Sequence, residues 1–326
     1  MTVVPTGRTV GGRVRLGLAT LVVNGVNYAW QMAQLHLRRP LPRIQHVVAM
    51  RIFQLLGRRF PVVLSYANPL APARRLSLDL DMCGNHALYV RTRGRYEAEW
   101  LRLLAAAMPD AERFVDVGAH VGVYSLTMAQ AFPDKQVIAV EPLPANFAHL
   151  ARGVALNGLT NVVARQAVVA ERAGRATLHV SPLSDANGSL VRPTHYQTGD
   201  LTIEATRYRA RHPRFVPTLE VDAVPLDALV DRPSVVKIDV EGAEASVLRS
   251  GERTLGKGLV DLAVVEVQGP TYLAVLELMG DLGFDGFLYG HRRPLRPGQL
   301  ALPPYRVVNV LFLRRGTPAY DRVDFA

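Results

Sequence analysis

From Arg113 onward, apolar runs of strand length alternate with helical stretches, and nothing else in the chain narrows its fold as far. RFVDV (113–117), QVIAV (136–140), VVARQAV (162–168), SVVKIDV (234–240) and LVDLAVVEV (259–267) are rich in Val and near-continuously apolar, as strands buried on both faces are. Helical patterns fall between them at 122–131, 144–156, 243–255 and 271–282, and FDGFLYG (284–290) and VVNVLFL (307–313) close the series. Strands flanked by helices over this length predict an α/β fold, a mainly parallel sheet covered on both faces. Upstream, the alternation in 76–91 predicts a short hairpin, followed by a helix over 96–108. Residues 181–218, rich in Pro, Gly, Ser, Thr and Arg, are too long for an ordinary strand-to-helix connection and predict a lid or substrate loop within a domain spanning 76–326.

Residues 1–75 have a different character. The formal charge is +10, yet the first acidic residue is Asp79, and eleven arginines precede it (Arg8, Arg13, Arg15, Arg38, Arg39, Arg43, Arg51, Arg58, Arg59, Arg74 and Arg75). Removing those eleven from the 38 basic residues leaves 27 against 28 acidic ones, so the basicity is N-terminal. Residues 16–35 carry no charge, but Asn24, Gly25, Asn27, Gln31 and Gln34 argue against a membrane-spanning helix, and no small-x-small site marks a cleaved signal. Ile44, Val47, Val48, Ile52, Leu55 and Leu56 recur at helical spacing beside Arg43, Arg51, Arg58 and Arg59. This predicts a basic amphipathic helix in an N-terminal helical extension. It would pack on the main domain as a lid or, as the second reading, place residues 14–59 on an anionic membrane surface. Cys83 is the single cysteine, which excludes an internal disulfide and points to a reducing, cytoplasmic setting, peripheral to the inner membrane face if the helix binds lipid. Beyond Asp79 no basic stripe with interleaved aromatics appears, so no nucleic-acid partner is expected.

The chemistry concentrates in three runs. VDVGAHVG (115–122) follows a strand and enters a helix, so Gly118 and Gly122 let the backbone turn sharply against a ligand. Its G-x-x-x-G spacing lacks the second glycine that a dinucleotide pyrophosphate needs, and Asp116 suits a cationic ligand such as S-adenosylmethionine better than a diphosphate. Glu141, about twenty residues on, closes the second strand in IAVEPLPANF, where a carboxylate can accept ribose hydroxyls. The third run, VVKIDVEGAE (235–244), sets Asp239 at the end of the fourth parallel strand with Glu241 and Glu244 entering the next helix, where first-turn acids also favour the helix dipole. The Asn- or Asp-Pro-Pro-aromatic run expected of an enzyme methylating a base or glutamine is missing.

Together FVDVGAHVGVYSL, VEPLPANFAHLARGVALNG, VVKIDVEGAEASVLRSG, LAVVEV and ELMGDLGF resemble the FkbM family of S-adenosylmethionine-dependent methyltransferases over residues 94–313, and the Arg-Tyr-Glu at 95–97 fits as well. The resemblance implies a class I methyltransferase, Rossmann-like sheet of seven mostly parallel strands with an antiparallel final hairpin. It also implies O-methylation of a hydroxyl on a sugar, a glycan or glycolipid, or a polyketide-type natural product. His120 departs from the family pattern, which carries Asn there. The expected cofactor-binding set is Asp116, Gly118, Ala119, His120, Gly122, Glu141, Pro142, Gln166, Ala167 and Asp239. An acceptor hydroxyl needs a positioned base. Asp239 is the first candidate, Glu241 the second and Glu266 the third, with His179 and His195 read as surface histidines. Asp239 and Glu266, at adjacent strand ends, also offer hard oxygen ligands for Mg²⁺, a lesser reading. Two rivals remain: an NAD(P)-dependent Rossmann oxidoreductase, which would share Glu141, and a non-catalytic membrane- or glycan-binding protein on the same fold.

Overall fold

The computed structural model describes residues 4–5, 61–81, 97–180, 188–190, 218–298 and 307–323. The stretch 16–35, the expected helix around 44–56, most of 181–218, Cys83 and His195 lie outside them.

Strand β1 (Pro61–Ala67) and strand β2 (Arg75–Asp81) form an antiparallel hairpin ahead of helix α1 (Ala98–Ala107). Then come β3 (Arg113–Val117), α2 (Val123–Ala131), β4 (Gln136–Val140), α3 (Pro144–Leu156) and β5 (Val162–Arg165). A side excursion follows as β6 (Val168–Val169), β7 (Gly174–Val180) and β8 (Thr218–Val224). The main series resumes with β9 (Ser234–Ile238), α4 (Glu244–Arg249), α5 (Glu252–Gly256), β10 (Val260–Gln268), α6 (Tyr272–Asp281), β11 (Phe284–Phe287), β12 (Val307–Arg314) and α7 (Pro318–Arg322).

The central sheet has seven strands in the order β11-β12-β10-β9-β3-β4-β5. β10, β9, β3, β4 and β5 are parallel, and β12 runs antiparallel to both β10 and β11. This is the seven-stranded, mostly parallel sheet with an antiparallel final hairpin that the family resemblance implied. From β3 the chain moves outward through β4 and β5, then returns to β9 on the other side. A crevice therefore opens beyond the carboxyl ends of β3 and β9, where an open α/β sheet binds its ligand. β3 and β9 are buried at every position, and apolar layers cover both faces. One layer joins Val115, Val236 and Val265 to Val247, Leu248 and Met279; the other joins Phe114, Val235 and Leu311 to Leu101, Leu104 and Met128. Each such side chain contributes roughly 1.5–3 kcal/mol when fully buried.

Three expectations need correction. Residues 75–81 pair upstream with 61–67, while residues 82–91 of the expected hairpin lie outside the described residues, and Leu64, Leu76, Leu78 and Leu80 pack on Val121, Leu126 and Leu150 of the main domain. A boundary after residue 75 therefore cuts through a hairpin that belongs to the domain. The predicted strand 162–168 is divided between two sheets, since Val168–Val169 leaves the central sheet and pairs with β8. The predicted helix 243–255 breaks at Ser250–Gly251, because Leu226 docks there: its N–H donates to Ser250 Oγ at 2.9 Å, and a Cβ on Gly251 would lie 2.6 Å from its Cδ2. The strands β7 and β8, which border the predicted 181–218 loop, pair in a four-stranded second sheet, most of the loop lying outside the described residues. Among the described residues no helix is long and apolar enough to cross a membrane.

Candidate active site

The β3–α2 loop folds directly onto the end of β9. Gly118 and Ala119 N–H both donate to Val140 O at 2.9 Å, and Asp239 N–H donates to Val117 O at 2.9 Å. Gly118 has φ +81°, and a Cβ there would fall 1.8 Å from Asp239 O, so only glycine permits the approach. Gly122, at φ +89°, starts α2, and its Cβ would lie 2.5 Å from Leu150 Cδ1. His120 between them has φ +53°. Asn, the residue usual in the family, tolerates that left-handed conformation, and so does His, which accounts for the exchange in backbone terms.

Glu141 is 4 % exposed and is held from three sides. His120 N–H donates to Oε2 at 2.9 Å, Leu143 N–H to Oε1 at 3.0 Å and Asn146 Nδ2 to Oε1 at 3.3 Å. Burial nevertheless outweighs these bonds and raises its pKa to about 7. Asp116 turns the other way: its Oδ2 accepts from Ser125 N–H at 3.1 Å and Ser125 Oγ at 2.5 Å, tying β3 to the first turn of α2. Its Oδ1 is buried with no hydrogen-bond partner, and burial raises its pKa against the opposing charge of Lys237.

At the ends of β9 and β10 the structure assembles a cluster that the motifs only partly showed. Lys237, 3 % exposed, sets Nζ 2.9 Å from Asp239 Oδ2 and 4.7 Å from the centre of the Tyr124 ring. Tyr124 OH donates to Glu97 Oε2 at 2.5 Å, and Glu97 stands in left-handed backbone at the head of α1. Burial disfavours the ammonium, but Asp239, Asp116, Glu97 and Glu266 outweigh it and keep Lys237 charged. Burial likewise acts to raise Asp239, yet the charge and hydrogen bond of Lys237 hold it below the ordinary carboxylate range. Glu266 is driven far up by burial and by the charges of Asp239 and Glu241. Glu241, in left-handed backbone at φ +53°, accepts from Gln268 Nε2 at 3.0 Å. Burial, with the charges of Asp239 and Glu244, lifts its pKa to about 8. Glu244 is fully buried and structural: it accepts from Gly242 N–H at 2.6 Å and Thr271 Oγ1 at 2.7 Å.

Asp239, Glu241 and Glu266 thus converge, with carboxylate oxygens within 4.8 Å of one another. Such oxygens suit a hard divalent cation, but the Lys237 ammonium competes with any cation for Asp239. Pro142 is half-buried beside Glu141, Ala167 is buried, and Gln166 is exposed where the chain passes from β5 to β6. His179 lies on β7 of the second sheet. Motif reading gave Lys237 no role, and the signal was there: a cation set among the apolar residues of SVVKI, in a chain with only three lysines. Tyr124 carried no such mark, because only packing brings it to Lys237.

Residues 116–285 match the family described as the methyltransferase FkbM domain. The chain is 32% identical over 202 residues to methyltransferase sdnD of Sordaria araneosa, covering 55% of this chain and 76% of that protein. It is 28% identical over 173 residues to methyltransferase 1 of Beauveria bassiana, covering 50% and 67%. Among solved structures it is similar to M. jannaschii TYW2 in complex with AdoMet, at TM-score 0.35 and 15% identity, over 73% of this chain and 83% of that one. With the glycine loop, Glu141 and the Lys237–Asp239 pair all inside the matched region, the chain belongs to the FkbM family of S-adenosylmethionine-dependent methyltransferases.

Proposed function

We propose that the protein O-methylates a hydroxyl of a sugar, glycan or polyketide-type acceptor, with the carboxylates at the ends of β9 and β10 handling the proton. The observation that carries this reading is a cluster of acids beside the cofactor loop whose proton affinities are pulled apart, Asp239 down and Glu241 up to about 8. An alcohol must lose its proton as its oxygen is methylated, and a base is most effective with a pKa near the working pH. Glu241 meets that requirement better than Asp239, whose ionised form Lys237 stabilises. Asp239 instead stays ionised beside Lys237, and its charge helps to raise the proton affinity of Glu241.

The residues present fit S-adenosylmethionine by their chemistry. The backbone-to-backbone packing of Gly118 on Asp239 keeps side chains out from between the loop and the strand ends. Glu141 uses three of about four lone-pair positions internally and retains capacity for a ribose hydroxyl. The acids around Asp239 favour a cationic donor. When bound, the cofactor supplies a methyl group already activated on a sulfonium. The chain then has to hold the acceptor oxygen in line with it, a task that can supply on the order of 7–11 kcal/mol.

The test pairs calorimetry with S-adenosylhomocysteine and transfer of a labelled methyl group to a panel of hydroxyl compounds, with the product linkage read by NMR. Glu241→Gln should bind S-adenosylhomocysteine within about three-fold of wild type and lose transfer by about 10²–10⁴-fold. An active Glu241→Gln, or an N-methyl product, would overturn the reading.

The arginines before Asp79 are the basis of a second proposal: residues 14–59 contact the anionic inner face of the membrane peripherally, in the cytoplasm. Each basic side chain near such a surface contributes about 1 kcal/mol. Arg51→Gln/Arg58→Gln/Arg59→Gln in the full chain should release the protein from phosphatidylglycerol vesicles, and unchanged sedimentation would end the proposal.

A further inference from the structure

Among the described residues, three that are not glycine stand in left-handed backbone: Glu97 at φ +49°, His120 at φ +53° and Glu241 at φ +53°. Such backbone is costly for an ordinary side chain and collects at functional sites, where the surrounding structure enforces it. Two of the three belong to the site described above. His120 gives its N–H to Glu141, and Glu241 shares the carboxylate cluster with Asp239 and Glu266. Glu97 ends the Arg-Tyr-Glu run ahead of α1, and neither the cofactor reading nor the proton handling uses it.

The Glu97 side chain is not spent on its own helix. It occupies the N-cap position of α1, where a side chain ordinarily accepts from first-turn N–H groups, yet it makes no such bond; its backbone carbonyl takes the Leu101 N–H at 3.1 Å. The carboxylate reaches across to α2 instead and accepts from Tyr124 OH at 2.5 Å. The Tyr124 ring centre lies 4.7 Å from Lys237 Nζ, within reach of cation–π attraction, and Nζ lies 2.9 Å from Asp239 Oδ2. Glu97, Tyr124, Lys237 and Asp239 therefore form one chain of contacts from the head of α1 to the end of β9.

Each link constrains the next. A tyrosine ring can turn about its side-chain torsions, and a charge-assisted bond at its hydroxyl fixes which way its face points. That bond also draws the phenolic proton toward the carboxylate, which leaves the ring richer in electrons and a better partner for an ammonium. Lys237 is a long, flexible side chain amid Asp239, Asp116, Glu97 and Glu266, so its ammonium has more than one acid to choose from. The ring face closes one side of that choice, and Asp239 is the acid at hydrogen-bond distance. We propose that Glu97 is a positioning residue: through Tyr124 it holds the Lys237 ammonium against Asp239, and with it the charge pattern that the acceptor's proton meets at the strand ends. The clause about the acceptor rests on the O-methyltransferase reading, whereas the placement of Lys237 does not.

The experiment uses the three lysines of the chain, Lys135, Lys237 and Lys257. Full-length protein labelled with carbon-13 at the lysine ε-carbon gives one NMR signal for each, and Lys237→Met assigns the signal that disappears. The Tyr124 ring current should place the Lys237 ε-protons upfield of the other two. Glu97→Leu and Tyr124→Phe should each move that signal downfield, and Glu97→Gln, which keeps an acceptor for the hydroxyl, should move it less. Glu99→Gln removes a charge from the same first turn of α1 and should leave it in place. A Lys237 signal unmoved in Glu97→Leu or Tyr124→Phe, with the other two signals at their wild-type positions, overturns the proposal, and so does an equal shift in Glu99→Gln. If Glu97→Leu fails to fold, Tyr124→Phe and Glu97→Gln decide the matter by the same signal. With a hydroxyl compound that the wild type methylates, Glu97→Leu and Tyr124→Phe should each lower kcat about ten-fold, the scale of one charge-assisted hydrogen bond, and keep the KM for S-adenosylmethionine within about two-fold. Glu97→Leu/Tyr124→Phe should be no slower than the slower single variant, because the two residues act in series. Losses that multiply in the double variant, or a raised KM with kcat intact, would refute action through Tyr124. A wild type that methylates no hydroxyl compound would strike the O-methyltransferase reading, and the lysine signal would still decide what holds Lys237.

Discussion

Replacing Lys237 by methionine tests the most heavily determined contact in the site. The side chain is 4% exposed and pairs at 2.9 Å with Asp239, whose side chain is 31% exposed. Methionine keeps much of the packing against Tyr124 but removes the cation from among Asp239, Asp116, Glu97 and Glu266. Removing one partner of a buried ion pair costs about 3–5 kcal/mol, and the partial exposure of Asp239 points to the lower end, about 3 kcal/mol. At roughly 2–4 °C per kcal/mol this lowers the melting temperature by about 6–12 °C. The loss should depend on pH. Lys237 holds Asp239 below its ordinary range, so the wild-type contribution is present above the unfolded value of about 3.9 and fades as pH falls through the folded value. In the variant, burial acts on Asp239 without the opposing ammonium and raises its pKa, so the deficit should be widest near pH 8 and narrow toward about pH 4. Urea unfolding across that range measures it. Lys237→Met/Asp239→Asn should recover about half of the loss, because it removes the stranded charge along with its partner. A single variant within about 1 kcal/mol of wild type at pH 8, or a double variant no more stable than the single, would refute the assignment of Lys237 as the internal counter-ion.

Gly118→Ala should abolish detectable S-adenosylhomocysteine binding in calorimetry, since its Cβ meets Asp239 O at 1.8 Å. Gly158→Ala, also at positive φ but with nothing within 4 Å of its Cβ, should cost only about 1–2 kcal/mol of stability and leave binding intact. Equal behaviour of the two would remove the steric argument. The ionised form of Glu141 is the better acceptor for ribose hydroxyls, so S-adenosylhomocysteine should bind more tightly as pH rises through about 7. That slope should vanish in Glu141→Gln, and a flat wild-type profile would count against Glu141 as a cofactor ligand. Methyl transfer should persist in EDTA, and activity lost to the chelator and restored by Mg²⁺ would reassign Asp239, Glu241 and Glu266 to a metal.

Much of the fold is legible in the chain because parallel strands buried on both faces must be written as continuous apolar runs. RFVDV and QVIAV read as strands with their ends in place, and the glycine loop and Glu141 follow from where those strands stop. Alternation in 76–81 marks one strand without saying which partner it has, and a partner lies upstream at 61–67. Helix 243–255 was read as unbroken because its interruption comes from Leu226, a residue distant in sequence.

The sequence by itself determined where the strands of the central sheet fall, the positions that must be glycine, and the family, since each depends on local pattern. Only the tertiary structure decided what the acids do. Asp239, Glu241 and Glu266 are three similar carboxylates in sequence, and their proton affinities separate because one faces a buried ammonium while the other two are buried beside like charges. Those differences arise from burial and from neighbours supplied by three strands and two helices, which the linear pattern does not record.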